Sequence, residues 1–274
     1  MRLLKGSFYL VAFLAAGVNF TYAGTATAQP STREHYALIY SGMGADADST
    51  QAIADVVKNV GLPIKYVDDI NTAPTLLVNA RVFIIGGTDD DVESILDEFK
   101  PSTRQALTTY LHNGGRFLGM CGGAFLASTG WHDESEFVPG LGFTPAESDA
   151  YDEDFSSKIY PVTWLGQKRH MYYQAGPSFA LLPDAEATQV VARYENNKPA
   201  ALINAYGRGK VAVSGPHPEA PSSWNENAKD GDAMQCKTMS TWPSNCCGIY
   251  FQISPSFTAS LSRIEFMRLK PGQA

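Results

Sequence analysis

Two hydrophobic periods alternate along this chain. Tyr36 to Tyr40 is a short apolar run closed by the turn Ser41-Gly42-Met43-Gly44, which predicts a buried strand. Ser49 to Val60 then carries apolar residues at helical spacing until Gly61 stops it. Ile64 to Val67 and Val82 to Ile85 read as strands, and Pro101 to His112 reads as a helix, with proline in its first turn and Gly114-Gly115 behind it. Phe117 to Met120 is a further buried strand. This alternation predicts an α/β fold of the flavodoxin-like kind, a mostly parallel sheet with helices on both faces. In the second half Lys158 to Trp164, Arg169 to Tyr173, Gln189 to Tyr194 and Ala200 to Ala205 are strand-like. They extend the sheet before the buried strand Val211 to Gly215.

The chemistry sits where predicted strands end. Phe117-Leu118-Gly119-Met120 runs into Cys121-Gly122-Gly123-Ala124-Phe125, a G-x-C-x-G segment passing from strand to helix. That is the pattern of a nucleophile elbow, in which small residues at 119 and 123 let the turn close and the helix start favours thiolate over thiol. Strand 211–215 leads into Pro216-His217-Pro218-Glu219, a base two residues before an acid. His217 suits a general base for Cys121, and Glu219 a carboxylate that orients the imidazole. Val82 to Ile85 ends in Gly86-Gly87, where bare backbone N–H groups suit an oxyanion hole. Gly87 and Gly122 are the expected donors. In an open α/β sheet, sites lie beyond the C-terminal strand ends, and Gly86, Cys121 and His217 all follow strands.

These segments resemble the class I glutamine amidotransferase-like superfamily, and most closely the domain at the N-terminus of eukaryotic biotin-protein ligases. The resemblance is carried by Ile85-Gly86-Gly87, by Gly114 to Ala124, by Met171-Tyr172-Tyr173-Gln174-Ala175-Gly176-Pro177-Ser178-Phe179 and by Gly209 to Glu219. Gly122-Gly123-Ala124 departs from that family's more usual Ala-Gly-Ala. The resemblance implies amide hydrolysis at Cys121, with Gly86, Tyr173 and Gln174 as substrate contacts. It does not imply biotin ligation, because the ligating domain has no counterpart here.

Composition narrows the setting. Met1-Arg2-Leu3-Leu4-Lys5 is positive, and Phe8 to Val18 is an apolar core of about 11 residues, short of the ~20 a spanning helix needs. Ala26-Thr27-Ala28 then predicts signal-peptide cleavage before Gln29, with Thr21-Tyr22-Ala23 as the alternative. The expected organisation is a signal peptide over 1–28 and one domain over 29–274, periplasmic or secreted, with an extension from about 220. Net charge is −7 without a Lys/Arg cluster, which argues against nucleic acid or an anionic membrane as partner.

Cys236 is expected to pair with Cys246 or Cys247, closing a loop worth about 2.5–3 kcal/mol. Three thiols without a nearby histidine are too few for a zinc site. Asp89-Asp90-Asp91 and Asp149 to Asp154 lack an EF-hand pattern and read as solvated loops. No metal and no cofactor is expected. The sequence therefore points to an exported, freestanding cysteine hydrolase acting on a small-molecule or peptide amide. The alternatives are a catalytically silent binding module on the same fold and a redox-sensing thiol.

Overall fold

A computed structural model describes residues 35–89, 91–226 and 228–230. The expected signal peptide and the expected pairing of Cys236 with Cys246 or Cys247 lie outside the described residues. In chain order the elements are β1 (Tyr36–Tyr40), α1 (Ala47–Asn59), β2 (Ile64–Val67), α2 (Ala73–Leu77), β3 (Ala80–Ile85), α3 (Val92–Glu98), α4 (Pro101–His112), β4 (Arg116–Met120) and α5 (Gly122–Ala127). There follow β5 (Gly130–Asp133), β6 (Glu136–Pro139), β7 (Ala146–Ala150), β8 (Lys158–Trp164), β9 (Gln167–Tyr173), β10 (Pro177–Leu181), β11 (Gln189–Tyr194), β12 (Pro199–Tyr206), β13 (Gly209–Ser214) and β14 (Lys229–Asp230).

The main sheet runs β14-β8-β11-β12-β13-β4-β3-β1-β2, with β9 paired to β8. The neighbours from β2 to β13 are parallel, whereas β13-β12, β12-β11, β11-β8 and β8-β9 are antiparallel. The sheet is therefore mixed, not mostly parallel. The reason is local: after β4 the chain supplies hairpin turns such as Leu165-Gly166 and Asn196-Asn197 in place of crossover helices, and a short turn can only join antiparallel strands.

Alternation along β1 assigns its two faces. Ala37 and Ile39 pack with Ile53, Ala54 and Val57 of α1, while Tyr36, Leu38 and Tyr40 belong to the larger core with α2 to α5. All five β1 residues are buried, as a strand covered on both sides requires. Helix α1 starts cleanly because the Asp46 side chain accepts from the Ser49 N–H at 2.6 Å, an N-cap worth about 1 kcal/mol.

A second sheet, β10-β7-β5-β6, was not legible in the hydrophobic pattern. Its inward residues Trp131, Val138, Ala146 and Phe179 join the core around α5. The acidic clusters are largely solvated, as expected: Asp89, Asp91, Asp149, Glu153 and Asp154 are exposed, though several also serve the fold. Asp91 caps α3, Asp149 accepts from the His132 N–H at 3.0 Å, and Asp152 pairs with the buried Lys158 and with Tyr160.

Candidate active site

The elbow forms as its residues demand. A Cβ on Gly119 would lie 2.3 Å from the Gly123 carbonyl oxygen, and one on Gly123 would lie 2.1 Å from that of Ile85. Only glycine permits this approach. Cys121 itself takes φ 50° and ψ −112°, a conformation that costs a residue with a side chain about 1–3 kcal/mol. It is held there from both sides. Its N–H donates to the Ser214 carbonyl at 2.8 Å, and its carbonyl accepts from the Ala124 and Phe125 N–H groups.

Met120 and Ser214 end the neighbouring parallel strands β4 and β13 side by side, so Cys121 and the loop that carries His217 leave the sheet together. The His217 N–H donates to the Tyr172 carbonyl at 2.9 Å, which ties that loop to the end of β9. His217 Nδ1 donates to Glu219 Oε1 at 2.8 Å. Both side chains are buried, His217 at 5% and Glu219 at 7% exposure. Burial works against the imidazolium, but the charge of the Glu219 carboxylate, and then the Cys121 sulfur by charge and hydrogen bond, outweigh it and hold His217 well above the ordinary histidine range. The thiol itself donates to the Gln174 carbonyl at 3.3 Å.

Not every expected site residue reaches the cleft. Cys121, Gly87, Gly122, Gln174 and His217 line one depression of about 480 Å³. Tyr173 does not: its side chain is fully buried, edge-on to Tyr151, Tyr160 and Tyr194, and its hydroxyl accepts from the Asp152 N–H. Tyr172, one residue earlier on the opposite face of β9, takes the place in the cleft wall. Gly86 lies beneath the surface, where its carbonyl accepts from the Gly123 N–H. The Gly87 N–H is already committed to Ser49 Oγ at 2.8 Å and so is not an oxyanion donor. The Gly122 N–H has no partner among the described residues.

Several cleft residues were beyond sequence reasoning. Trp224 stands edge-on to His217 and Tyr172, at 5.8 and 5.0 Å between ring centroids. Six carboxylate residues, Asp46, Asp48, Asp89, Asp91, Glu93 and Asp133, line the same depression, and no lysine or arginine does among the described residues. Ser49 Oγ donates to Glu219 Oε1 at 3.1 Å across 170 positions of sequence, and only the fold joins them. Among the described residues no group of three His, Cys, Asp or Glu side chains is placed to hold a metal ion.

The family described as biotin-protein ligase, N terminal, matches residues 35–137. The chain is similar to the biotin-protein ligase N-terminal family. That match takes in Gly87 and Cys121 and ends before His217 and Glu219. A biotin–protein ligase of Schizosaccharomyces pombe is 24% identical over 210 residues, 66% of this chain and 33% of the ligase. An uncharacterized protein of Chlamydia muridarum is 28% identical over 144 residues, 44% of this chain and 56% of that protein. The chain thus covers about a third and just over half of these relatives. A solved glutamine amidotransferase shares the fold with a TM-score of 0.52 at 18% identity, over 66% of this chain and 90% of that one. The biotin-protein ligase N-terminal resemblance covers the elbow, and the fold is glutamine amidotransferase-like.

Proposed function

We propose that this protein is a cysteine hydrolase of carbon–nitrogen bonds in amides, with Cys121 as nucleophile, His217 as general base and acid, and Glu219 as the group that orients His217. The observation that carries this reading is a thiol on a strained strand-to-helix turn, beside a buried histidine whose Nδ1 is bonded to a carboxylate. With Nδ1 engaged, Nε2 is the nitrogen left for the thiol. Glu219 favours the imidazolium, so the thiol proton rests on Nε2 and the sulfur attacks the amide carbon as thiolate. The Gly122 N–H receives the developing oxyanion. His217 returns the proton to the departing amine, leaving a thioester. A water molecule then gives its proton to His217 and attacks the thioester. The acid is released and the thiol restored.

The cleft also suggests what the substrate carries. Six carboxylates, with no lysine or arginine beside them among the described residues of the lining, repel a further carboxylate on the substrate and attract positive charge, so we read the substrate as a neutral or cationic amide, small or peptidic. Export of the mature chain from Gln29 onward belongs to the same proposal, and N-terminal mass spectrometry of fractionated cells tests it.

The catalytic reading is tested by alkylation and turnover. In folded protein Cys121 should react with iodoacetamide at neutral pH faster than a cysteine peptide, and His217→Ala should slow it. Cys121→Ala should abolish release of amine from an amide library. Equal rates for protein and peptide, with no effect of His217→Ala, would sink the hydrolase and leave the silent binding module.

A further inference from the structure

Ser49 sits in the first turn of α1, 1% exposed, with its N–H fixed by the Asp46 cap. Its hydroxyl has two partners in the site. It accepts from the Gly87 N–H at 2.8 Å and donates to Glu219 Oε1 at 3.1 Å. A serine hydroxyl has one proton, and a backbone N–H can only donate, so the proton must point at the carboxylate. The direction of this chain is therefore set by the backbone. Glu219 Oε1 receives two donors, the Ser49 hydroxyl and His217 Nδ1, while Oε2 is buried with no partner among the described residues.

That asymmetry matters. A carboxylate held by His217 alone could rotate and offer either oxygen, and the imidazole would turn with it. With Ser49 in place only Oε1 is doubly bonded, which fixes the plane of the carboxylate and hence of the ring. The same hydroxyl also joins Glu219 to the Gly86-Gly87 turn, so α1, β3 and the loop after β13 are locked at one oxygen atom.

We infer that Ser49 is a positioning residue, which orients Glu219 and through it the His217 imidazole that faces Cys121. The inference rests on the hydrolase reading of the site and adds a member that reacts with nothing.

A double-mutant cycle on the full chain tests it, read by the rate of Cys121 alkylation with iodoacetamide. Ser49→Ala should slow alkylation about tenfold, the scale for one donor removed from a buried charged acceptor. In a Glu219→Ala background the same substitution should change the rate less than about twofold, because nothing remains to be oriented. Ser49→Thr, which keeps the hydroxyl, should restore most of the rate. Ser49→Gly is tolerable in a first helical turn and gives the same comparison should the alanine variant not fold, as circular dichroism would show. A tenfold loss in both backgrounds would make Ser49 merely structural and overturn the inference, as would no loss in either. A wild-type Cys121 no faster than a cysteine peptide would instead remove the hydrolase reading, and this role with it.

Discussion

Thr88 fills the space that a methyl group on Gly122 would need. A Cβ at position 122 would lie 1.8 Å from Thr88 Oγ1 and 2.6 Å from both Thr88 Cβ and Cγ2. This accounts for glycine after the nucleophile, where the resembling family more often has alanine. Overpacking of this kind costs about 1–3 kcal/mol. Gly122→Ala should therefore lower the melting temperature and push Thr88 into the cleft. Thr88→Ala should not rescue it, since Cβ still clashes, whereas Thr88→Gly should recover most of the loss. Thermal melts of wild type and these three variants check this, and an unaltered Gly122→Ala melt would refute it.

The strain at Cys121 gives a second prediction. Replacing Cys121 by glycine removes a positive-φ penalty of about 1–3 kcal/mol and adds an unfolded-state entropy cost of about 0.4–1 kcal/mol. Strain relief outweighs the entropy cost. Cys121→Gly should melt above Cys121→Ala, since alanine keeps the Cβ and with it the strain. Both should be inactive. Equal melting temperatures would show that the elbow stores little.

How much of this was legible in sequence differs by half. The parallel half was, because Tyr36 to Tyr40, Val82 to Ile85 and Phe117 to Met120 are unbroken apolar runs of four or five residues, and β2, despite Lys65, and α4 fall where the pattern puts them. The second sheet was not. Ala146–Ala150 alternates buried Ala146 and Ser148 with exposed positions, and a buried serine reads as a loop. That Cys121, His217 and Glu219 meet was legible because each follows the C-terminal end of one of two neighbouring central strands, β4 and β13. Tyr173 misled for the opposite reason: in a strand, neighbours face opposite sides, so a Tyr-Tyr pair places one ring in the cleft and one in the core. Which is which depends on register against β8, where Ile159 opposes Tyr172 and Lys158 opposes Tyr173. Ser49 gave no signal beyond opening the predicted helix Ser49 to Val60.

The cleft charge predicts selectivity. An amide carrying a positive group should be turned over faster than an isosteric acidic one, and Asp89→Asn with Asp133→Asn should narrow the gap. Raising the salt concentration should narrow it too, because the Debye length falls to about 3 Å at 1 M. Preference for the acidic amide would contradict the assignment.

The last prediction concerns pH. The His217 imidazole is raised well above its ordinary value of about 6.5 because Glu219 and Cys121 outweigh its burial. Between that ordinary value and the raised one, the folded protein holds a proton that the unfolded chain has released. The folded state binds more protons over that window, so stability falls as pH rises. The contribution is complete below about pH 6.5 and is lost as pH climbs through the raised folded value. Glu219→Gln removes the charge that sustains the proton and leaves burial to oppose it, so this slope should shrink in the variant. Chemical denaturation at pH 6 and pH 9 reads the effect as the difference between wild type and variant. Wild type should hold its advantage at pH 6 and lose much of it at pH 9. A difference independent of pH would mean that His217 is neutral in the folded protein at both values, and that Glu219 contributes there by hydrogen bonding rather than by charge.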